Sequence, residues 1–305
     1  MSIRKEKIII DTDPGHDDAL AILLLEKSGL FNIEAITTVA GNSDIQNTTN
    51  NTRYVLDLIS SKTPIYSGSE KPLSRKLVRA DVHGESGLAG AIVKKEEKLL
   101  DNAVEKIIEI IKKNPKEVSI VAIGPETNIA KAFIKEPKLP SLIKEIVIMG
   151  GAVNVPGNKN GAGEFNIFVD PEAADIVFKS NVKKILIPLD VCNKVFFNLS
   201  DFDKLQENLL YNPIKDMMRY YIEGIEKFEG TVGALMYDPL AAYYLINPDA
   251  YKTELMNIKI GVEDDNKRGV TMIDSSGHEV QVVVSVNKTE FEKDFFAILN
   301  RQIDR

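Results

Sequence analysis

Two apolar patterns alternate along this chain. Short runs at residues 8–10, 33–40, 118–123, 145–149 and 184–189 are near-continuously apolar, with few polar residues outside Glu34, Thr37 and Thr38, which predicts strands covered on both faces. Between them, residues 17–27, 48–60, 102–113, 128–135 and 171–180 carry the apolar spacing of helices. Strand and helix in strict alternation form βαβ units, so the expected fold is α/β: a doubly wound, mostly parallel sheet.

Beyond residue 200 the pattern changes. Residues 200–246 turn helical and aromatic, with Tyr211, Tyr220, Tyr221, Phe228, Tyr237, Tyr243 and Tyr244, and read as a helical lid subregion. Residues 254–286 then hold the terminal strands: 257–262, 270–273 and 280–286 alternate as strands do, and Ser275-Ser276-Gly277 separates the last two as the turn of a C-terminal β-hairpin. A closing helix is expected over 290–299. No internal repeat or low-complexity linker interrupts the chain, and 1–305 is expected to be one domain.

The predicted strands end in unusual residues: Asp11 to Asp13, Gly41-Asn42, Gly124-Pro125, Gly150-Gly151 and Asp190. In a parallel sheet these ends share one rim, where open α/β sheets bind ligands. The first is richest in chemistry, because Asp11-Thr12-Asp13-Pro14-Gly15-His16-Asp17-Asp18 joins Ile8-Ile9-Ile10 to the apolar helix that begins near Leu20. Acids in a first helical turn complement the dipole and cap free N–H groups, and Pro14 suits the first helical position. Four aspartates within eight residues exceed what capping needs. Their repulsion requires either protonation or a hard cation, and a divalent metal site is the simplest account.

Composition narrows the classes of function. At 44% hydrophobic and 27% charged residues the 305-residue chain has the make-up of a globular protein, and no apolar stretch approaches the roughly 20 residues of a membrane helix. A net charge of −7 without a basic stripe argues against nucleic acid as partner. A lone Cys192 rules out an internal disulfide and, with only His16, His83 and His278, makes a structural zinc site improbable. Residues 1–7 are polar and lack the layout of a secretory signal, so the expected compartment is cytoplasmic. The charge runs 94–98 and 263–268 read as solvated loops.

The opening block resembles the DxDPGxDDA signature of the inosine–uridine-preferring nucleoside hydrolases, which cleave N-glycosidic bonds of ribonucleosides. Further blocks are similar, in the same order: Thr37-Thr38-Val39-Ala40-Gly41-Asn42, His83-Gly84-Glu85-Ser86-Gly87, Gly124-Pro125-Glu126-Thr127-Asn128, Met149-Gly150-Gly151, Glu164-Phe165-Asn166-Ile167 with Asp170-Pro171-Glu172, and Asp238-Pro239. The resemblance implies that Asp13, Asp18, Asp238 and the carbonyl of Ile123 ligate Ca2+, and that Asp13 is general base for a metal-bound water. It implies that Asp17, Asn42, Asn158, Glu164, Asn166 and Asp238 bind the ribose. It further implies a salvage role and a homodimer or homotetramer. Oxygen-only donors suit calcium, which accepts six to eight of them, and carboxylates and amide oxygens stabilise an oxocarbenium-like sugar.

Taken singly, the later motifs have plainer readings. Gly41-Asn42 is a turn, Glu164 and Asn166 alternate with Phe165 and Ile167 as in a half-exposed strand, and Asp238-Pro239 is an N-cap followed by proline.

Two positions depart from the family pattern. Tyr237 and Asn193 stand where many members have histidine, and a phenol releases its proton far less readily than an imidazole. His83 is then the remaining candidate for protonating the leaving base, with Tyr237 as hydrogen-bond donor. Tryptophan is absent, so Tyr220 and Tyr221 are the residues expected to stack on the base. Base preference is not set by these residues. Two other readings compete: a nucleoside- or ribose-binding protein with weak catalysis, and an aspartyl phosphatase of the haloacid-dehalogenase type with Asp11 as nucleophile.

Overall fold

The computed structural model describes residues 5–94, 101–159, 161–205, 209–263 and 267–302. Most of the two charge runs therefore lies outside the described residues. The strands are β1 (Glu6–Thr12), β2 (Phe31–Thr38), β3 (Ile65–Ser67), β4 (Val118–Ala122), β5 (Glu145–Met149), β6 (Lys184–Ile187), β7 (Phe196–Phe197), β8 (Ala234–Leu235), β9 (Tyr251–Ile260), β10 (Thr271–Ile273) and β11 (His278–Val286). Nine of them form one sheet in the order β10-β9-β11-β6-β5-β4-β1-β2-β3, while β7 and β8 make a separate small ribbon. All neighbours from β3 across to β11 are parallel, and only β9 runs against its partners.

Both faces of the sheet are covered, as the unbroken apolar runs predict. Ile8, Ile10, Val121, Val147 and Ile185 belong to one buried cluster, and the alternate residues Ile9, Ile120, Ile146 and Leu186 belong to the other. Side chains on a strand point alternately to opposite faces, so a strand that is apolar at every position needs two cores. The lid packs onto the first of these, through Ile214, Met217, Met218, Tyr221 and Ile225 of the helix Tyr211–Glu229.

An antiparallel hairpin is present, but its partners differ from the expected ones. β10 pairs with β9 and β11 pairs with the other edge of β9, so residues 270–273 and 280–286 do not face each other. β9 is ten residues long and starts at Tyr251, well before the predicted 257. Its first half, Lys252 to Asn257, is mostly exposed and polar, which hides the strand period. No helix among the described residues is long and apolar enough to cross a membrane.

The chain leaves β1 in one direction through β2 and β3, then returns to pair β4 on the opposite side of β1. Adjacent crossovers diverge at that point, and a crevice opens beyond the carboxyl ends of β1 and β4.

Candidate active site

The floor of the crevice is built from two helix starts. The helices His16–Ser28 and Tyr237–Ile246 are buried along almost their whole lengths and pack against each other. Neither has a polar face, so each can be satisfied only by being enclosed. That packing brings their first turns together, with Asp17 and Asp18 on one and Asp238 on the other. One carboxylate oxygen from each lies within 4.8 Å of the others. Three acids at two helix N-termini also sit at the positive ends of both dipoles.

Asp18 is held in place by several donors. Its Oδ1 accepts the Thr12 hydroxyl at 2.6 Å and the Asp13 N–H at 3.3 Å, and its Oδ2 accepts the Gly15 N–H at 2.9 Å and the Asn42 amide at 3.1 Å. Asp13 accepts the Asn42 N–H through Oδ2 at 2.6 Å, while its Oδ1 has no partner. Oδ1 of Asp17 is likewise buried without a hydrogen bond. Gly41 makes this possible, because a Cβ there would stand 2.0 Å from Asp13 Oδ2. The Gly41-Asn42 motif therefore clasps a carboxylate as well as turning the chain.

Burial, and then mutual repulsion, raises the pKa values of this group. Asp13 is raised by burial and by Asp18 and Asp17, and Asp238 by burial and by Asp17, Asp18 and Asp13. Asp17 is raised by burial and by Asp18, and Asp18 by burial. Such a set must either hold protons or share a cation. The orphaned oxygens and the absence of nitrogen or sulfur donors from the cluster fit a hard divalent ion.

Above the floor lies a cavity of about 130 Å³ that opens to solvent. Asp17, Asn42, His83, Ile123, Asn158, Glu164, Asn166, Tyr237 and Asp238 are on its wall, whereas Asp13 and Asp18 lie fully buried behind it. The Ile123 carbonyl accepts the Asn166 amide at 3.3 Å. Glu164 is the N-cap of the short helix Phe165–Val169, where the isolated motif reads as a strand. Its Oε1 accepts the Asn166 N–H at 2.9 Å, its Oε2 accepts the Gly151 N–H at 3.0 Å, and burial pushes its pKa up to about 7. Asn158 Oδ1 accepts the Phe165 N–H at 3.0 Å. Asp238 lies inside its helix, not at the N-cap, which is Met236.

The other wall comes from the lid and the loop that holds His83. The His16 and His83 rings are in hydrogen-bond contact through their Nδ1 atoms at 2.8 Å, and Nε2 of His83 stands 3.9 Å from Asp17 Oδ1. Burial, and the neighbouring His16, hold His83 well below the usual imidazole range. Tyr221 stacks on both imidazoles and lines the cavity, whereas Tyr220 stacks on His16 from outside it. Gly224 lets the lid helix rest on the loop, since a Cβ there would lie 2.3 Å from the Val82 carbonyl oxygen. The Tyr237 hydroxyl donates to Glu229 Oε2 at 2.9 Å, with Asn193 Oδ1 at 3.5 Å. Glu229, Phe228 and Lys159 line the cavity too, and sequence reasoning passed over all three. Glu229 and Phe228 sit among other acids and aromatics of the lid helix and Lys159 in a polar, glycine-rich loop, and nothing in local spacing distinguishes them.

Asp11 stands apart from the cluster it adjoins in sequence. It accepts the Thr37 hydroxyl at 2.5 Å and the Asn128 amide at 2.9 Å, and it is fully buried away from the cavity wall. Its carboxylate is taken up by Thr37 and Asn128 and adds nothing to the cavity wall.

Comparison with known proteins agrees with this geometry. The profile of the family described as "Inosine-uridine preferring nucleoside hydrolase" matches residues 8–293. The "Pyrimidine-specific ribonucleoside hydrolase RihA" of Escherichia coli O1:K1 is 38% identical over 277 residues, which is 88% of this chain and 88% of that protein. Among solved structures, "Plant nucleoside hydrolase - PpNRh1 enzyme" superposes with a TM-score of 0.90 at 26% identity, over 97% of this chain and 99% of the other. The "Purine-Preferring Ribonucleoside Hydrolase from Gardnerella vaginalis" does so with a TM-score of 0.90 at 29% identity, over 97% and 98%. The chain belongs to the inosine-uridine preferring nucleoside hydrolase family of enzymes.

Proposed function

We propose that this enzyme hydrolyses the N-glycosidic bond of ribonucleosides to ribose and free base, with Ca2+ as its cation and Asp13 as general base. The observation that carries this reading is the convergence of Asp13, Asp17, Asp18 and Asp238 at a cavity floor with two buried carboxylate oxygens unpartnered. Asp13, Asp18, Asp238 and the Ile123 carbonyl hold the ion. A calcium ion, when bound, supplies the charge that makes the attacking water easier to deprotonate and accepts sugar hydroxyls as further ligands.

Asp13 takes the proton of that water, its ionised form restored by the cation. Asp17 and Asp238 accept hydrogen bonds from the ribose hydroxyls, and Asn42, Asn158, Glu164 and Asn166 complete the sugar subsite. These oxygen-rich walls favour positive charge on the sugar as the bond to the base breaks. His83 and Tyr237 border the base end, where Tyr221 offers a face for stacking. The relatives' names span pyrimidine-specific and purine-preferring enzymes. A nucleoside panel covering both classes is therefore the direct assay, run with calcium titrated into chelator-treated protein. Turnover should require the metal and fail with 2′-deoxyribonucleosides; metal-independent turnover rejects the mechanism, and equal use of deoxy substrates rejects the role of the diol. A salvage role and assembly as a homodimer or homotetramer belong to the same reading, and light scattering of the purified enzyme tests the latter.

A further inference from the structure

Tyr237 and Asn193 leave open how the departing base gains a proton. Glu229 is the last residue of the helix Tyr211–Glu229, followed by Gly230 in the left-handed conformation that ends it. A carboxylate is disfavoured at a helix C-terminus, where the unpaired carbonyls carry partial negative charge. An acid at this place on a free surface is merely poor helix design. Here its side chain faces the cavity, its Oε2 lies 2.9 Å from the Tyr237 hydroxyl, and Asn158 hydrogen-bonds to it from the opposite wall.

Resting on the N-ribohydrolase reading above, we propose that Glu229 is the proton donor to the leaving base, with Tyr237 and Asn158 as the positioning residues that aim its carboxyl. As the C1′–N bond breaks, its electron pair passes to the base nitrogen, which takes the Glu229 proton. The water oxygen bonds to C1′ and its proton goes to Asp13, and both carboxyls then exchange with solvent. Glu229 is mostly buried, and burial raises its pKa above the usual carboxylate range. Its charged and titratable neighbours are Tyr237, Lys159, Asp17, Glu164 and Tyr221; the Tyr237 hydrogen bond and Lys159 favour the ionised form, as does the Asn158 hydrogen bond, and burial outweighs them. His83 is less suited, because its Nδ1 faces His16 and its Nε2 faces Asp17.

The test compares substrates that need a proton with one that does not, in calcium-loaded enzyme. A p-nitrophenyl riboside releases a stable anion, whereas uridine and inosine release poor leaving groups. Glu229→Gln should lower kcat for uridine and inosine by about a hundredfold or more, the usual size of general acid catalysis, and lower it for the nitrophenyl riboside by less than about tenfold. Calorimetric affinity for an uncleavable C-nucleoside should fall by less than about tenfold in the same variant. In the native enzyme, kcat for the better natural substrate should fall as pH rises through the Glu229 pKa, with no such limb for the nitrophenyl riboside. Equal losses on all substrates, or losses below about threefold on uridine and inosine, overturn the assignment. If the variant does not fold, identical high-pH limbs for both substrate types in native enzyme overturn it instead. Native enzyme that cleaves none of these substrates refutes the N-ribohydrolase reading itself, a result separate from the failure of Glu229 alone.

Discussion

Asp13 has to be ionised to act as a base, yet its surroundings oppose ionisation. It is fully buried and faces Asp18 and Asp17, so only a cation can bring its acidity back into a useful range. In the proposed mechanism Asp13→Asn removes both a ligand and the base; kcat should drop by at least about a hundredfold and calcium affinity, measured by calorimetry, should fall with it. A variant that loses affinity but keeps turnover when saturated with calcium would assign the base elsewhere. Gly41→Ala probes the same carboxylate from behind. With its Cβ built 2.0 Å from Oδ2, the Asp13 side chain must move, and both kcat and calcium affinity should decline although no polar group has been lost.

At the scale of elements, the site depends on how whole helices lie. The helices His16–Ser28 and Tyr237–Ile246 carry the acids on their first turns, so their mutual packing sets the distances among Asp17, Asp18 and Asp238. Leu20 is fully buried one turn beyond Asp17. Leu20→Ala should cost about 2–5 kcal/mol in denaturant unfolding, as core truncations do, and weaken calcium binding as well. Loss of stability with unchanged affinity would mean the acids are positioned by their own hydrogen bonds alone. The lid gives a second case. Gly224→Ala forces the helix Tyr211–Glu229 off the Val82 carbonyl oxygen, and the expected result is a raised KM for nucleosides, since His83, Tyr221 and Glu229 all ride on that contact.

For the molecule as a whole, stability and metal binding are linked through pH. Burial raises Asp11 from 3.8 to about 7, and Glu164 from 4.5 to about 7. Between those values the folded protein holds protons that the unfolded chain has released, so their stabilising effect is complete below about pH 4 and is lost as pH rises through about 7. Asp11 alone accounts for on the order of 4 kcal/mol across that window. Metal-free protein should therefore melt at a lower temperature at pH 8 than at pH 5. Calcium should raise Tm far more at pH 8, where the cluster is otherwise forced to ionise unpaired. Equal calcium shifts at both values in scanning calorimetry would place the ion outside the carboxylate cluster.

Much of this was legible in the residues themselves. Unbroken apolar strands need two covering layers, and their alternation with helices specifies a parallel sheet, so the location of the crevice followed from order along the chain. The density of acids from Asp11 to Asp18 announced charge that capping does not use. Local pattern had no means of separating Asp11 from Asp13, because residues two apart share a face of a strand; the strand ends at Thr12, and only the folded chain turns Asp11 toward Thr37 and Asn128 and Asp13 toward Asn42. Glu164 looked like part of a strand until its carboxylate was found capping a five-residue helix. Glu229 read as one more acid on a helix, and its meeting with Tyr237 and Asn158 depends on how the lid closes over the sheet. Periodicity and motif are properties of neighbours in sequence, and they determined the architecture and the carboxylate floor. The partners of each carboxyl are set by packing between distant segments, and only the tertiary structure decided those.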